Sequence, residues 1–238
     1  MRRQAGAVEL LDGPLDPRTL AANLRDLARV NRWLGGTRLS WRAIGPLLNE
    51  KSPSQRLSLL DIGTGAADIP RALLRASAAN DPTLEIVATD VRPEIVHLAS
   101  LMAARSPGFE VRLASEDRID AADGSFDVVH ASLVLHHLEP QAAVNLLREM
   151  TRVARRAVVV NDLDRAWRWW AGAWLLTRLA TRNRYTRNDA PLSVRRAYRR
   201  HEMVQLATRA GLVEDAHYWA WPGYRYAITF RRAGRHGG

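Results

Sequence analysis

The sequence predicts an α/β fold in which a largely parallel sheet is covered by helices on both faces. From residue 57 onward, short apolar runs alternate with amphipathic segments, which is the order of repeated strand–helix–strand units. The run AVVVN at residues 157–161 is apolar without alternation, as expected of a strand that is covered on both faces. We therefore predict a parallel sheet that is completed by one antiparallel final strand.

Each element follows from the periodicity of its apolar residues. Strands are predicted at residues 57–61, 84–90, 110–114, 126–131 and 157–161. Helices are predicted between them at residues 69–79, 93–104 and 140–153. A helix near residues 199–210 and strands near 213–218 and 225–231 follow.

Two segments are added to this core, within one domain overall. Residues 1–54 are predicted to form an N-terminal helical cap, in which Asp16 caps a helix and Gly35-Gly36 separates it from a second one. Residues 55–162 form the ligand-binding core, 163–198 an insertion after the fifth strand, and 199–238 the completion of the sheet. We expect the N-terminal helices and the insertion to form a lid over the strand ends.

The composition excludes several classes of site. The chain of 238 residues has no cysteine, so disulfides, thiolate metal sites and cysteine nucleophiles are ruled out. No apolar stretch of signal-peptide length follows the basic N-terminus, and the longest apolar run, 169–177, is far below the roughly 20 residues that span a bilayer. We expect a soluble, cytoplasmic protein without a transmembrane segment.

The charge is strongly basic. The formal net charge is +10, from 35 basic and 25 acidic residues, which favours nucleic acid, anionic lipid or an acidic substrate as partner. Lys51 is the only lysine, so a general arginine bias of the coding sequence is an equal alternative. Several of the arginines nevertheless cluster within residues 163–198.

The central motif is LLDIGTGAAD at residues 59–68, an apolar strand that enters a Gly-x-Gly turn before a helix. Gly63 and Gly65 permit positive φ angles and close approach of a ligand to the backbone. A dinucleotide site favours a third glycine, but Asp68 occupies that position. Asp61 ends the strand, where a carboxylate suits an ammonium group better than a pyrophosphate.

A second carboxylate, Asp90, ends the next strand about 25 residues after the glycine turn. An acid at this position can accept hydrogen bonds from both hydroxyls of a ribose. A nucleoside that carries an amino acid satisfies both carboxylates, and S-adenosylmethionine (SAM) is such a molecule. The alternative for either acid alone is an ordinary strand–turn–helix with capping acids.

Three segments together, LLDIGTGAADIP, VATDVRPEIV and DGSFDVVHASLVLHHLE, resemble the class I (Rossmann-like) SAM-dependent methyltransferases. The sequence is most similar to the group that includes ubiquinone/menaquinone-biosynthesis and small-molecule methylases. The resemblance covers residues 55–162 and implies a Rossmann-like sheet with SAM as cofactor. The residues that it implies as SAM ligands are Asp61, Gly63, Thr64, Gly65, Asp90, Val91, Ala131 and Ser132.

The third strand departs from the family pattern. The family usually has an Asp after this strand, in a Gly-Asp-Ala turn, where it faces the adenine amino group. Here the segment reads Ala-Ser-Glu-Asp, with Ser115 at that position. Ser115 or Glu116 is expected to take the role, with Asp117 as a further alternative.

His136 and His137 follow the fourth strand. A neighbouring pair of histidines suggests a metal site, but adjacent side chains on a helix or turn point apart and no acid lies nearby at ligand spacing. We therefore expect no metal. The resemblance implies a structural role beside the cofactor, and contact with the substrate is the alternative.

The substrate is expected above the carboxyl ends of the strands, under the insertion. Trp167, Trp170 and Trp174 share one helical face, which predicts core packing, an aromatic wall around a planar substrate, or a surface that rests on a membrane. Residues 181–189 are a poor helix and predict a mobile lid that carries arginines for a carboxylate or phosphate, with solvated charge as the alternative. The candidate substrate ligands are Trp167, Trp170, Arg184, Tyr185 and Arg187.

These features predict methyl transfer from SAM to an O or C atom of a small aromatic or anionic metabolite, by a monomer or homodimer. Positioning does much of the work, and a phenol would also benefit from a base, for which His136, Tyr185, His201 and His217 are candidates. One alternative is an RNA methyltransferase, which the lack of a separate RNA-binding module disfavours. Others are a peripheral-membrane quinone methylase and a non-catalytic binding protein.

Overall fold

The computed structural model describes residues 1–13, 16–49, 56–78, 84–103, 106–115 and 118–234. Its strands are β1 (Leu57–Ile62), β2 (Leu84–Asp90), β3 (Phe109–Leu113), β4 (Phe126–Ser132), β5 (Ala154–Leu163), β6 (Leu212–Trp219) and β7 (Arg225–Arg232). They form one sheet in the order β3-β2-β1-β4-β5-β7-β6. Strands β1 to β5 pair in parallel, and β7 runs antiparallel to both β5 and β6. The predicted fold class and antiparallel final strand are confirmed.

Helices lie on both faces of this sheet. They are α1 (Pro17–Trp33), α2 (Gly36–Asn49), α3 (Asp68–Ala78), α4 (Pro93–Ala103), α5 (Pro140–Val153), α6 (Trp167–Ala180), α7 (Arg184–Arg196) and α8 (Arg200–Arg209). One core cluster joins the sheet to α5 and α8 and includes Leu147 and Met203. The other joins it to α2 and α3 and includes Ile44 and Leu73. Because β5 is covered on both sides, its apolar run is fully buried.

The N-terminal helices form as predicted. The Asp16 carboxylate accepts hydrogen bonds from the backbone N–H groups of Arg18 and Thr19, which satisfies two otherwise unpaired donors at the start of α1. Leu20 and Leu24 of α1 are buried in a small cluster with Ala66 and Ile95. Helix α1 therefore covers the turn that follows β1. The division of the chain at residues 54, 162 and 198 stays a prediction.

The insertion after β5 contains two helices, and residues 184–189 belong to the second, so the expectation of a poor helix there is wrong. The role of the insertion as a mobile lid stays a prediction. Asn183 caps α7 by accepting a hydrogen bond from the Tyr185 N–H. The buried Asp189 carboxylate accepts hydrogen bonds from the backbone of Leu10 and Leu11. Capping and these long-range contacts outweigh the low helix propensity of the segment. In the described part of the chain, no helix is long and apolar enough to cross a membrane.

Candidate cofactor and substrate site

The glycine turn lies at the carboxyl end of β1, next to β2 and under α1. Gly63 and Gly65 have φ angles of 64° and 53°, in the left-handed region that favours glycine. The Thr64 N–H donates to the Thr89 carbonyl over 2.9 Å, which ties the turn to β2. A Cβ on Gly65 would lie 3.9 Å from the Leu24 side chain. The turn and α1 thus form a cradle at the carboxyl ends of β1 and β2.

Asp90 reaches this turn from the end of β2. Its Oδ2 accepts a hydrogen bond from the Gly65 N–H at 3.1 Å, and its Oδ1 accepts one from the Arg92 N–H at 3.2 Å. Burial raises the pKa of the Asp90 carboxyl, although these two N–H donors oppose the shift. The structure therefore brings the two predicted cofactor features together, and the contact of Asp90 with a ribose stays a prediction.

Asp61 lies buried beneath the turn. Its Oδ1 is 2.6 Å from Nδ1 of His130, and the other ring nitrogen of His130 is 2.9 Å from the Ser40 hydroxyl on α2. The Asn161 amide donates to the same hydroxyl over 2.7 Å. One carboxylate oxygen thus belongs to a buried hydrogen-bond chain that joins β1, β4, α2 and β5. The contact of Asp61 with an ammonium group stays a prediction.

Arg225 extends this chain to the N-terminal helices. The guanidinium is fully buried and donates to the Asn161 Oδ1 at 2.5 Å, the Asn31 Oδ1 at 2.7 Å and the Ser132 hydroxyl at 2.7 Å. Burial lowers the pKa of Arg225. A buried guanidinium needs several acceptors, and these three hold α1, the end of β4 and β5 in one arrangement below the crevice.

Two buried atoms beside the glycine turn have no hydrogen-bond partner among the described residues. They are Oγ1 of Thr64 and Oδ2 of Asp68. Burial raises the pKa of Asp68, and a hydrogen bond from Asn31 opposes it. Since nearly all buried polar atoms are paired in proteins, these atoms require a partner from outside the described chain. The ammonium and hydroxyl groups of SAM supply such partners, so the residues present fit SAM.

The adenine end of the cradle involves β3. The Ala114 N–H donates to the Asp90 carbonyl over 2.8 Å, which sets Ser115 beside the end of β2, where its side chain is exposed. Val91 is also exposed. A residue that packs on adenine has to be accessible before the cofactor binds. Glu116, like Asp117, lies outside the described residues. Contacts of these residues with adenine stay predictions.

The loop after β4 closes the cradle from the other side. Ala131 is buried, and Ser132 accepts the hydrogen bond from Arg225. Leu133 has a φ angle of 58°, which costs a leucine backbone energy and is found mainly where a site demands it. A Cβ added to Gly63 would lie 2.6 Å from a Val134 methyl carbon. The first glycine is therefore required because the β4 loop packs against it.

The two histidines of this loop do not point apart, which corrects the sequence expectation. Their ring centroids are 4.2 Å apart. Glu9 brings its Oε1 to 3.9 Å from Nε2 of His136 and to 4.0 Å from Nδ1 of His137. This acid is far away in the sequence and was missed. The three side chains offer one ligand atom each and could hold a metal ion.

Other groups already compensate the charge of Glu9. The Ser193 hydroxyl donates to its Oε1 over 2.7 Å, and the Arg196 guanidinium lies 3.9 Å from the same oxygen. A cation so close disfavours a second positive charge at this oxygen. We therefore interpret the cluster as a charge-compensated contact between the N-terminal segment, α7 and the β4 loop, and a metal is still not expected.

His136 is held by Asp162 at the end of β5. Its Nδ1 lies 2.7 Å from one carboxylate oxygen, and its backbone N–H donates to the other. Burial alone would raise the pKa of Asp162, but the His136 imidazole outweighs burial and the pKa is lowered. With Nδ1 held by Asp162, Nε2 of the ring is directed toward Glu9.

The predicted substrate residues occupy different environments. Trp167 is 71% exposed, whereas Trp170 is half-buried. The Arg184 guanidinium is 4.8 Å from the Tyr185 ring and donates to its hydroxyl, on the first turn of α7. Arg187 instead donates to the carbonyls of residues 181 and 178, at 2.7 and 3.0 Å, and so caps the end of α6. The set therefore is not gathered around one point.

The remaining base candidates have different surroundings. His201 is exposed on α8. His217 is on the edge strand β6, where its Nδ1 is 2.7 Å from Glu214. Tyr185 is engaged by Arg184, so His136 is the candidate with the best-defined partners. The roles of all four stay predictions.

Sequence reasoning missed several residues that organise the site. His130 was visible as a polar residue within the apolar strand FDVVHAS, and Asp162 as an acid at a strand end. Arg225 stands at the first position of the last strand, where a charge is ordinary. Glu9 lies in a segment without any pattern, and only the tertiary structure brings it to His136.

Comparison with known proteins supports the interpretation of this geometry. Residues 60–158 match the sequence-family model described as a methyltransferase domain. No curated protein matches the chain. The ubiquinone/menaquinone subgroup is not confirmed by the comparisons.

Solved structures share the fold at low sequence identity. A SAM-dependent methyltransferase from Aquifex aeolicus has a TM-score of 0.61 and 18% identity, over 92% of this chain and 100% of that one. Magnesium protoporphyrin IX methyltransferase from Synechocystis PCC 6803, with bound SAH, has a TM-score of 0.60 and 14% identity, over 86% of both chains. Mitomycin 7-O-methyltransferase has a TM-score of 0.67 and 18% identity, over 96% of this chain and 62% of that one. The chain therefore carries a methyltransferase domain at residues 60–158, within a fold that it shares with solved SAM-dependent methyltransferases.

Proposed function

We propose that the protein transfers a methyl group from SAM to an O or C atom of a small aromatic or anionic metabolite. The observation that carries this proposal is the cradle at the end of β1 and β2, in which Asp90 holds the Gly65 N–H while Thr64 and Asp68 each keep one unpaired buried atom. These groups suit the ribose hydroxyls and the amino-acid part of SAM. Bound SAM supplies a methyl group on an activated sulfonium.

The acceptor is proposed to enter between the β4 loop and the N-terminal helices. Two observations support this entry: Val134 of the loop packs against the glycine turn, and the imidazole of His137 is about one-third exposed. Arg184 and Tyr185 on α7 are proposed as outer contacts for an anionic or aromatic group of the acceptor.

His136 is the proposed proton acceptor or positioning residue for a phenolic acceptor. Asp162 holds Nδ1 of the ring, so Nε2 is the atom proposed to meet the acceptor. The His136 side chain is buried, with Nε2 3.9 Å from Glu9, so the acceptor is proposed to approach beside Glu9 and His137. His136→Gln is expected to lower kcat for a phenol with little change in SAM affinity.

The experiment is methyl transfer from labelled SAM to a panel of phenols, aromatic carboxylates and total RNA. Incorporation into one of the first two classes supports the proposal. Incorporation into RNA alone, with RNA affinity that falls steeply with salt, would replace it by the RNA alternative. A quinone methylase is the second candidate, because Trp33, Trp167 and Trp221 are exposed and provide a surface on which an apolar substrate can be delivered.

A further inference from the structure

Helix α6 exposes an unusual combination of side chains. Apart from Thr177, it has no fully buried residue, and its contacts with other helices are mainly with α7. Large apolar residues face outward along it, with Leu179 79% and Trp167 71% exposed. The others are Trp174, Leu175 and Leu176. A surface helix normally turns such residues toward the core.

Two further exposed tryptophans lie next to the first turn of α6. The Tyr224 hydroxyl donates to the Leu34 carbonyl at the end of α1, and its ring is 6.4 Å from the Trp169 ring. This contact sets the end of α1, the β6–β7 loop and the start of α6 side by side. Trp33 on α1 and Trp221 in the loop are 82% and 91% exposed. We call Trp33, Trp221 and the outward residues of α6 the tryptophan face.

The segment that contains α6 is rich in arginine. Residues 165–188 contain six arginines and no acidic residue. Arg168, Arg178, Arg182 and Arg184 are exposed. The guanidinium carbon of Arg178 lies 4.0 Å from the centroid of the Trp174 ring, and that of Arg168 lies 4.6 Å from the Trp169 ring, so the positive charges lie directly beside the tryptophans. Exposed tryptophans and leucines bordered by arginines match the interface of an anionic bilayer.

We propose that the tryptophan face docks on the surface of anionic phospholipid bilayers. The occupant is a lipid surface rather than a protein, because the exposed apolar residues of α6 lie among exposed arginines, whose charge complements lipid phosphates. Helix α6 begins four residues after β5, at the edge that carries Asp162. Docking therefore brings the crevice close to the bilayer and, resting on the proposed function, selects acceptors with an apolar tail.

Vesicle flotation of the full chain tests the proposal. Vesicles of phosphatidylcholine alone are compared with vesicles that contain roughly 30% phosphatidylglycerol, at low and high salt. We expect binding to the anionic vesicles, at least tenfold weaker binding to the neutral ones, and release by high salt. Equal binding to both, or none to the anionic vesicles, would overturn the proposal.

Leu179→Asp places a negative charge at the most exposed leucine of α6 and is expected to weaken anionic-vesicle binding at least tenfold. Leu101→Asp is the matched control, because Leu101 is 64% exposed on α4 and outside the tryptophan face. Both variants should bind SAM as the wild type does, which separates failure of docking from failure of the proposed function. If Leu179→Asp instead leaves vesicle binding unchanged but dissolves a dimer, the face is an interface between two copies and the proposal is wrong.

Discussion

The first glycine of the cofactor turn is expected to be required twice, for its backbone angle and for its missing side chain. Gly63→Ala forces an alanine to a φ of 64° and puts its Cβ 2.6 Å from Val134. The left-handed backbone costs about 1–2 kcal/mol, and overpacking costs about 1–3 kcal/mol. The variant should therefore lose about 2–5 kcal/mol in the free energy of unfolding. Its SAM affinity should fall at least tenfold, because the β4 loop moves away from the turn.

Gly124→Ala separates the cost of the left-handed backbone from the cost of overpacking. Gly124 has a φ of 61°, but an added Cβ meets nothing within 4 Å, so it should lose only the backbone part, about 1–2 kcal/mol. Urea denaturation of both variants and of Gly63→Ala/Val134→Ala measures the difference. The double variant should regain most of the overpacking cost relative to Val134→Ala alone. Equal losses for Gly63→Ala and Gly124→Ala would refute the close approach of the β4 loop.

Four further outcomes are expected. Asp90→Ala should weaken SAM binding by about 10–100-fold, as the loss of charged hydrogen bonds predicts. Asp127→Asn, near the amino end of β4 and so away from the cofactor site, should not weaken it. Burial raises the pKa of Asp90 above its ordinary value of 3.8, and the ionised carboxylate is the better hydrogen-bond acceptor. SAM affinity should therefore fall as the pH is lowered through this raised pKa, and Asp90→Asn should abolish the pH dependence. Asp162→Asn should lower the free energy of unfolding by about 3 kcal/mol at neutral pH. Because folding lowers the pKa of Asp162, the carboxylate stabilises the protein above its unfolded pKa, and this stabilisation is lost as the pH falls through its folded pKa. An equal loss at pH 2 and pH 7 would argue against this role of Asp162. Arg187→Ala should lower the melting temperature by removing the cap of α6, and Arg184→Ala should not; the reverse order would contradict the assigned contacts.

The sequence predicts the sheet and the cofactor cradle at the carboxyl ends of β1 and β2, because both depend on local sequence patterns. Apolar runs without alternation identify β5, and glycine positions with acids at strand ends identify the cradle of Gly65 and Asp90. These signals are read from neighbouring residues, and the parallel topology then brings the strand ends together.

The substrate side was predicted less well because long-range contacts determine it. Residues 181–189 lack helix-forming residues, yet Asn183 and the contact of Asp189 with the N-terminal segment stabilise α7. The acid that meets His136 is Glu9, more than a hundred residues away. A local sequence pattern cannot predict a contact between residues so far apart in the chain. The hydrogen bonds of Arg225 to Asn31, Ser132 and Asn161 could not be predicted for the same reason.

Calorimetric titration of the wild-type chain with SAM tests the central claim most directly. The cradle of Gly65, Asp90, Thr64 and Asp68 predicts one SAM bound per chain with a Kd in the micromolar range or below, and weaker binding to Asp90→Ala measured side by side. Absence of SAM binding, or an Asp90→Ala variant that binds as the wild type does, would contradict the account.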